Sequence, residues 1–238
     1  MDIKYKRVLL KLSGEALAGS LGKGISYDTL LEVCEAIKKC VDSGVEVGIV
    51  VGGGNFWRGR QTADKMERTR ADKIGMLATI MNSIALADAF EKVGVEAVVR
   101  TSVDMISVAK RFTREDSLED MKQGKVVIFG GGTGSPFFST DTTAALRAAE
   151  ISADCILMAK MVDGVYDSDP KKNPDAKRYD KITFSEILEK DLKVIDSTAA
   201  SMCRDNLTEV FVFSLSDPEN ILRAVRGENI GTVLKEEK

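Results

Sequence analysis

Three glycine-rich segments carry the side chains best suited to chemistry, and each follows an apolar run. KLSG occupies positions 11–14, GGGNFWRG positions 52–59 and GGGTGSPFFSTD positions 130–141. Glycine exposes backbone N–H groups without steric cover. Lys11 and Arg58 add fixed positive charge, and a guanidinium can clamp a phosphate through two parallel hydrogen bonds. Together the three segments predict a site for a phosphate-bearing ligand.

The third segment ends where a helix is predicted to begin. Ser139, Thr140, Asp141 and Thr142 lie at that start, where free N–H groups and the helix dipole favour an anionic or polar ligand. Two roles are open for Asp141 at this point. It either caps the helix or acts in the ligand site.

A fourth segment, GSLGKG at positions 19–24, has part of a P-loop pattern. That pattern requires glycine at position 17 and serine or threonine after Lys23, whereas the chain has Leu17 and Gly24. We therefore predict a flexible loop here. The glycines at 52–54 likewise lack the third glycine of a dinucleotide-binding fingerprint.

The chain contains no histidine. This excludes Ser-His-Asp and Cys-His catalysis and histidine-based metal sites. Phosphoryl transfer needs little acid–base help and is therefore favoured. The four cysteines form no CxxC pair, which predicts reduced thiols rather than a metal site or disulfides. They are Cys34, Cys40, Cys155 and Cys203.

Composition narrows the class of protein further. A length of 238 residues suits one large α/β domain or two small ones. A net charge of -3 gives no basic field for a nucleic-acid partner. The polar start of the chain predicts neither a signal peptide nor a membrane span, and we expect a cytosolic protein.

Strand and helix patterns alternate along the chain. The predicted strands cover 6–13, 45–51, 95–102, 125–131, 153–160, 209–215 and 231–236, the last as an edge strand. The predicted helices cover 26–44, 71–94, 142–153, 197–206 and 217–228. This alternation predicts a mostly parallel sheet with helices on both faces, and ligands at the carboxyl ends of its strands.

With these segments in order, the sequence resembles the bacterial uridylate kinases of the amino-acid-kinase superfamily. KLSG and GGGN are shared across the superfamily, whereas YKRVLLKLSGEAL (5–17) and TGSPFFSTD (133–141) are more specific to uridylate kinases. Matching segments continue to 227–232, so the resemblance covers essentially the whole chain. It implies one domain over 1–238, a three-layer αβα sandwich around a mostly parallel, roughly eight-stranded central sheet.

The resemblance also implies an activity. The family transfers the γ-phosphoryl group of ATP to UMP in pyrimidine nucleotide biosynthesis. Mg²⁺ accompanies ATP and is held mainly by nucleotide phosphates and water, so no metal-binding side chain is expected. The implied enzyme is a cytoplasmic homo-oligomer, typically a hexamer, that GTP activates and UTP inhibits. Neither a nucleic acid nor a membrane is an expected partner.

The family's functional positions map onto this chain residue by residue. The implied catalytic residues are Lys11, Arg58, Asp141 and Asp196. The implied ATP-binding residues are Lys11, Leu12, Ser13, Gly14, Gly54, Arg58, Lys160, Tyr166 and Asp169. The implied UMP-binding residues are Gly53, Asp72, Thr133, Gly134, Ser135, Pro136, Phe137, Phe138, Ser139 and Thr140. The loop associated with GTP activation corresponds to Gly19, Ser20, Leu21, Gly22, Lys23 and Gly24.

Some positions depart from the family pattern. Ser135 stands where asparagine is frequent, Ser139 where threonine is usual, and Trp57 where phenylalanine is common. Two roles stay open for Lys160, which is either a second phosphate-facing lysine or an adenine-side backbone position.

Two rival functions are compatible with the same motifs. One is another kinase of the superfamily, acting on aspartate, acetylglutamate or an isoprenoid phosphate. The other is a non-catalytic module that senses UMP or UTP and regulates a partner.

Overall fold

Nine strands form one sheet in the computed structural model, which describes residues 2–57, 66–168, 170 and 172–236. They are β1 (Arg7–Leu12), β2 (Glu46–Val51), β3 (Ala97–Thr101), β4 (Lys110–Arg111), β5 (Val126–Gly130), β6 (Cys155–Lys160), β7 (Lys181–Ile182), β8 (Glu209–Ser214) and β9 (Gly231–Leu234). Their spatial order is β4-β3-β5-β2-β1-β6-β8-β9-β7. Only β8 and β9 pair in antiparallel fashion within these ranges.

Helices cover both faces of the sheet. They are α1 (Gly14–Ala18), α2 (Tyr27–Asp42), α3 (Arg68–Lys92), α4 (Arg114–Lys122), α5 (Thr140–Glu150), α6 (Phe184–Glu189), α7 (Ser197–Asp205) and α8 (Asn220–Val225). Helices α1, α2, α3 and α8 pack on one face, and α4 to α7 pack on the other. The predicted three-layer αβα sandwich with a mostly parallel sheet is confirmed, with nine strands instead of about eight.

Side chains alternate between the two faces of the central strands, and this decides which of them lie on the α5 side of the sheet. In β1, Leu10 and Leu12 face the core under α2 and α3, whereas Leu9 faces the core under α5. Because successive side chains point to opposite faces, Lys11 lies on the α5 side. The same rule places Lys160, two residues after Met158, on that side at the end of β6.

Helix α3 is long and apolar enough to cross a membrane by length and composition alone. Its most apolar 18-residue stretch has a mean hydropathy of 1.2, and 44% of that stretch is buried. The helix packs against α2, β3 and β5, with Leu86 and Phe90 inside the core. These are the contacts of a core helix in a folded domain. Its outer face exposes Leu77, Met81 and Ile84.

The structure corrects several sequence-based boundaries. The segment 231–236 is predicted at an edge, but β9 pairs with β8 on one side and with β7 on the other. The predicted helix 217–228 is shorter and begins at Asn220. The sequence patterns did not reveal β4, β7, α4 or α6. The two strands have only two residues each, and α4 is too polar to show an apolar stripe.

A buried ionic cluster joins the amino ends of the sheet around Glu209. The Tyr5 hydroxyl donates a hydrogen bond to Oε1, and the Nζ atoms of Lys4 and Lys235 lie 3.1 Å from its two carboxylate oxygens. Burial favours a raised pKa for Glu209, but these hydrogen bonds outweigh it and lower the pKa. The charged carboxylate is therefore the form that stabilises the fold.

Replacing Glu209 with glutamine should lower the free energy of unfolding by about 1–3 kcal/mol, because the buried Tyr5 hydroxyl and two half-exposed lysines lose a charged acceptor. Chemical denaturation measures the free energy of unfolding.

The pKa of Glu209 is lowered in the folded state. Its contribution to the free energy of unfolding is therefore present above the ordinary glutamate pKa and is lost as the pH falls through the lowered value. The control Asp42→Asn removes the exposed partner of Lys38 on α2 and should cost less than about 1 kcal/mol. Equal costs would contradict the assignment.

Candidate active site

Two lysines meet one carboxylate at the carboxyl ends of β1 and β6. Lys11 Nζ lies 2.9 Å from Asp141 Oδ1, and Lys160 Nζ lies 3.9 Å from Asp141 Oδ2. Lys160 also donates a hydrogen bond to the Val194 carbonyl before α7. All three side chains are largely buried, at 13% to 23% exposure. The cluster therefore concentrates positive charge around a single counter-ion.

Burial and mutual attraction shift the pKa values of this cluster. Burial alone would raise the pKa of Asp141, but Lys11 and Lys160 outweigh it and lower the pKa below the usual aspartate value. For Lys160, burial lowers the pKa, Asp141 partly restores it and the charge of Lys11 lowers it further. Asp141 is thus held ionised, and Lys160 gives up its proton more readily than an exposed lysine.

Ser139, rather than Asp141, caps helix α5. The Ser139 hydroxyl oxygen accepts hydrogen bonds from the backbone N–H groups of Asp141 (3.0 Å) and Thr142 (3.2 Å). The capping role left open for Asp141 is therefore already filled, and its carboxylate is directed to the lysines. Asp141 lies in the first turn, where the helix dipole also stabilises an anion.

Asp196 ties the start of α5 to the start of α7. Its Oδ1 caps α7 by accepting from the Ala199 N–H at 3.0 Å, and its carboxylate also accepts from the Ser139 and Thr142 hydroxyls. This contact fixes the two helix starts against each other. The orientation of Asp141 depends on the same arrangement, since α5 carries it.

The glycine loop after β2 packs tightly against its neighbours. A Cβ on Gly53 would lie 2.8 Å from Ala78 Cβ and 2.9 Å from the Gly75 carbonyl of α3. A Cβ on Gly14 would lie 2.4 Å from the Gly52 carbonyl. At Gly53 and Gly14, therefore, close approach of protein backbone requires glycine independently of any ligand.

Asp72 organises the opposite side of the cavity. The Arg68 Nε donates to both of its carboxylate oxygens, at 3.0 and 2.9 Å, one helical turn away on α3. The Phe137 N–H donates to Oδ2 at 2.8 Å, and Phe137 adopts a φ of 74°, which is rare for a residue other than glycine. Phe137 and Phe138 are both more than half exposed. Asp72 thus helps to hold the segment before α5 in an uncommon conformation.

These elements enclose a cavity of about 780 Å³, within the range usual for small-molecule sites. Twelve of the residues singled out from the sequence line it. They are Lys11, Gly53, Gly54, Asp72, Thr133, Ser135, Phe137, Phe138, Ser139, Thr140, Asp141 and Asp196. Residues from five separate parts of the chain therefore meet at one cavity, whereas their roles stay predictions.

Other residues singled out from the sequence do not line this cavity. Among the described residues these are Leu12, Ser13, Gly14, Gly134, Pro136, Lys160, Tyr166 and the loop 19–24. Tyr166 instead donates its hydroxyl hydrogen bond to Asp163 at 2.8 Å. Arg58 and Asp169 lie outside the described residues.

The sequence interpretation missed one wall of the cavity. Helix α6 contributes Leu188, and the segment between α6 and α7 contributes Asp191, Leu192, Lys193 and Ile195. Only Asp196 of this stretch stands out in the sequence, because charged and apolar residues there follow no ligand-binding pattern. Arg68 was missed as well, although its spacing of four residues from Asp72 on a helix is a recognisable pairing signal.

The chain belongs to the amino acid kinase family, whose model matches residues 6–214. The match confirms the family resemblance that the glycine-rich motifs indicated.

Three solved structures are similar to this chain over nearly its whole length. The UMP kinase of Bacillus anthracis is 39% identical with a TM-score of 0.94, and the match covers 98% of this chain and 97% of that one. The UMP kinase of Ureaplasma parvum is 36% identical with a TM-score of 0.92, covering 98% and 100%. The uridylate kinase of Archaeoglobus fulgidus is 31% identical with a TM-score of 0.71, covering 95% and 99%.

Gly53→Ala should cost about 1–3 kcal/mol of folding free energy, because its methyl group would press on α3 backbone that cannot yield. The control is Gly54→Ala, whose Cβ would meet only the side chain of Glu15, at 3.1 Å, and should cost clearly less. Urea denaturation of both variants gives the comparison. Equal destabilisation would mean that packing against α3 is not the constraint.

Proposed function

We propose that the protein is a UMP kinase that transfers the γ-phosphoryl group of ATP to UMP, giving UDP and ADP. The observation that carries this proposal is the Lys11–Asp141–Lys160 cluster, of which Lys11 and Asp141 line the cavity. Similarity to three UMP or uridylate kinases supports the choice of acceptor. One domain carries both nucleotide sites in this proposal.

Charge stabilisation and positioning account for the catalysis. In phosphoryl transfer, negative charge is spread over the oxygens of the moving group, and cations placed beforehand lower the barrier. Lys11 lies on the cavity wall in the position to neutralise that charge. Lys160 acts as the second phosphate-facing lysine, since its ammonium group reaches the same carboxylate. Arg58 joins them in the proposal on the strength of its sequence motif.

No general base is required. The phosphate of UMP is already an anionic nucleophile at neutral pH, which agrees with a chain that has no histidine. Asp141 acts by orienting the two lysines, and Asp196 by holding the starts of α5 and α7 together.

The two nucleotides occupy different sides of the glycine loop. UMP lies in the cavity, bounded by Gly53 of the glycine loop, by Asp72 and by the segment Thr133–Thr140. ATP lies towards the loop Leu12–Gly14, Gly54 and Lys160, with Tyr166 and Asp169 at its adenine and ribose. Exposed Phe137 and Phe138 offer apolar surface to the acceptor.

The protein residues fit a magnesium ion that arrives with ATP. Within the described part of the chain, no group of three or more acidic or cysteine side chains could hold a metal. The carboxylates of Asp141 and Asp196 already accept bonds from lysines and hydroxyl groups. Nucleotide phosphates and water would therefore provide most of the ligands, and the ion would neutralise phosphate charge.

Regulation and assembly complete the proposal. We expect activation by GTP through the loop Gly19–Gly24, feedback inhibition by UTP, and a cytoplasmic homohexamer acting in pyrimidine nucleotide biosynthesis. Assembly is supported by the outer face of α3, where Leu77, Met81 and Ile84 form an exposed apolar stripe at helical spacing.

An acceptor panel tests the activity. With ATP and Mg²⁺, the protein should release ADP faster when UMP is the acceptor than with any other nucleoside monophosphate, aspartate, acetylglutamate or an isoprenoid phosphate. The panel is measured with and without GTP.

Lys11→Ala should reduce turnover by about a hundredfold or more. Asp141→Asn should also reduce turnover while the protein stays folded, because Ser139 supplies the cap. Activity on a non-nucleotide acceptor alone, or UMP binding without ADP release, would refute the proposal.

The pH profile tests the second lysine. Lys160 must be protonated to attract phosphate, and its pKa is lowered, so kcat/KM should fall as the pH rises through that lowered pKa. Lys160→Arg should move this decline to higher pH, because a guanidinium stays charged. Lys38→Arg, on the surface of α2, should leave the decline in place. An unchanged profile in Lys160→Arg would exclude this role.

A further inference from the structure

Two buried asparagines form an amide pair behind the glycine loop. Asn55 Nδ2 donates to Asn82 Oδ1 at 2.9 Å, and Asn82 Nδ2 donates to Asn55 Oδ1 at 2.8 Å. Asn55 is 5% exposed and Asn82 is 0% exposed. Neither side chain lines the cavity, so this buried polar pair needs a role other than direct ligand contact.

The remaining amide hydrogens of the pair hold two loops. Asn82 Nδ2 also donates to the Gly52 carbonyl at 2.7 Å, which ties the start of the glycine loop to α3. Asn55 Nδ2 also donates to the Gly24 carbonyl at 2.7 Å. In return, the Gly24 N–H donates to the Asn55 carbonyl at 3.0 Å. Gly24 and Asn55 are thus joined by two reciprocal hydrogen bonds.

The loop at the other end of this link has room to move. Residues 19–23 are exposed, and Gly24 has a φ of 71° with no described atom within 4 Å of the place that a Cβ would occupy. Few contacts and solvent-exposed backbone are the features of segments that change conformation readily. Displacement of Gly24 would pull on Asn55, which follows Gly53 and Gly54 of the cavity wall directly.

We propose that Asn55 is a positioning residue that sets the glycine loop against the cavity and transmits displacement of the loop Gly19–Gly24 to it. Asn82 anchors the pair to α3, so the glycine loop moves relative to a fixed support. The proposal is tested below by tryptophan fluorescence and by turnover. The turnover measurement rests on the proposed kinase function, and the fluorescence measurement does not.

Trp57 provides the structural readout. It is the only tryptophan in the chain, and its backbone N–H donates to the Gly53 carbonyl at 2.9 Å, so its emission reports the glycine loop. Gly24→Ala should shift this emission, because alanine disfavours the positive φ and displaces the Gly24 backbone. Gly44→Ala has the same kind of strain and open space at the far end of β2, and should not shift it.

The link is tested by combining variants. In an Asn55→Ala background, Gly24→Ala should shift the emission clearly less, because the side-chain bond to the Gly24 carbonyl is lost and only the backbone bond to residue 55 remains. Asn55→Ser introduces no charge, and its hydroxyl side chain is one atom shorter than the amide that is donated to Gly24; it serves if the alanine variant fails to fold. Asn220→Ala, which removes an amide donated to the Ser214 carbonyl at 3.0 Å, should leave the shift intact.

Turnover provides the second readout, measured without GTP. Gly24→Ala should lower kcat on the order of tenfold, because small misplacements around a reacting centre are costly. In the Asn55→Ala background Gly24→Ala should have a clearly smaller effect on kcat. A shift in emission of undiminished size without the Asn55 amide, or no shift in Gly24→Ala, would overturn the inference. If the wild-type protein released no ADP from UMP, the kinase proposal would fail while the fluorescence result still decided this one.

Discussion

The site depends on the attraction between one carboxylate and two lysines. Lys11 and Lys160 would repel each other in a partly buried setting, and the charge of Asp141 allows both to remain there. Asp196 adds a second carboxylate whose charge attracts Lys160, and it also fixes the helix that carries Asp141. The two lysines are therefore held at the carboxyl ends of β1 and β6 by carboxylates at the starts of α5 and α7.

Sheet topology creates this meeting of charges. Lys11 and Lys160 are distant in sequence, but β1 and β6 are neighbours because the chain crosses from β5 over β2 and β1. Strand alternation then turns both lysines to the α5 face, and α5 presents Asp141 in its first turn. A different strand order would leave the same residues unable to interact.

The sequence predicted the central strands and most helices because both faces of the sheet are covered, which makes those strands continuous apolar runs. It could not decide the role of Asp141. The helix was predicted from position 142, whereas α5 begins at Thr140, and that shift moves the cap to Ser139. The wall between α6 and α7 has no local signal either. Its residues meet the cavity only through the packing of α6 against α7 and of α7 against α5.

Helix α3 connects features that the sequence presents separately. It carries Asp72, which accepts the Phe137 N–H, supports Gly53 through Gly75 and Ala78, and anchors Asn55 through Asn82. Its outer face exposes the apolar stripe of Leu77, Met81 and Ile84. Because a helix moves as a rigid element, any contact that displaces this outer face would also displace the glycine loop and Asp72. A shift of α3 would therefore reach the glycine loop and the Phe137 side of the cavity at once.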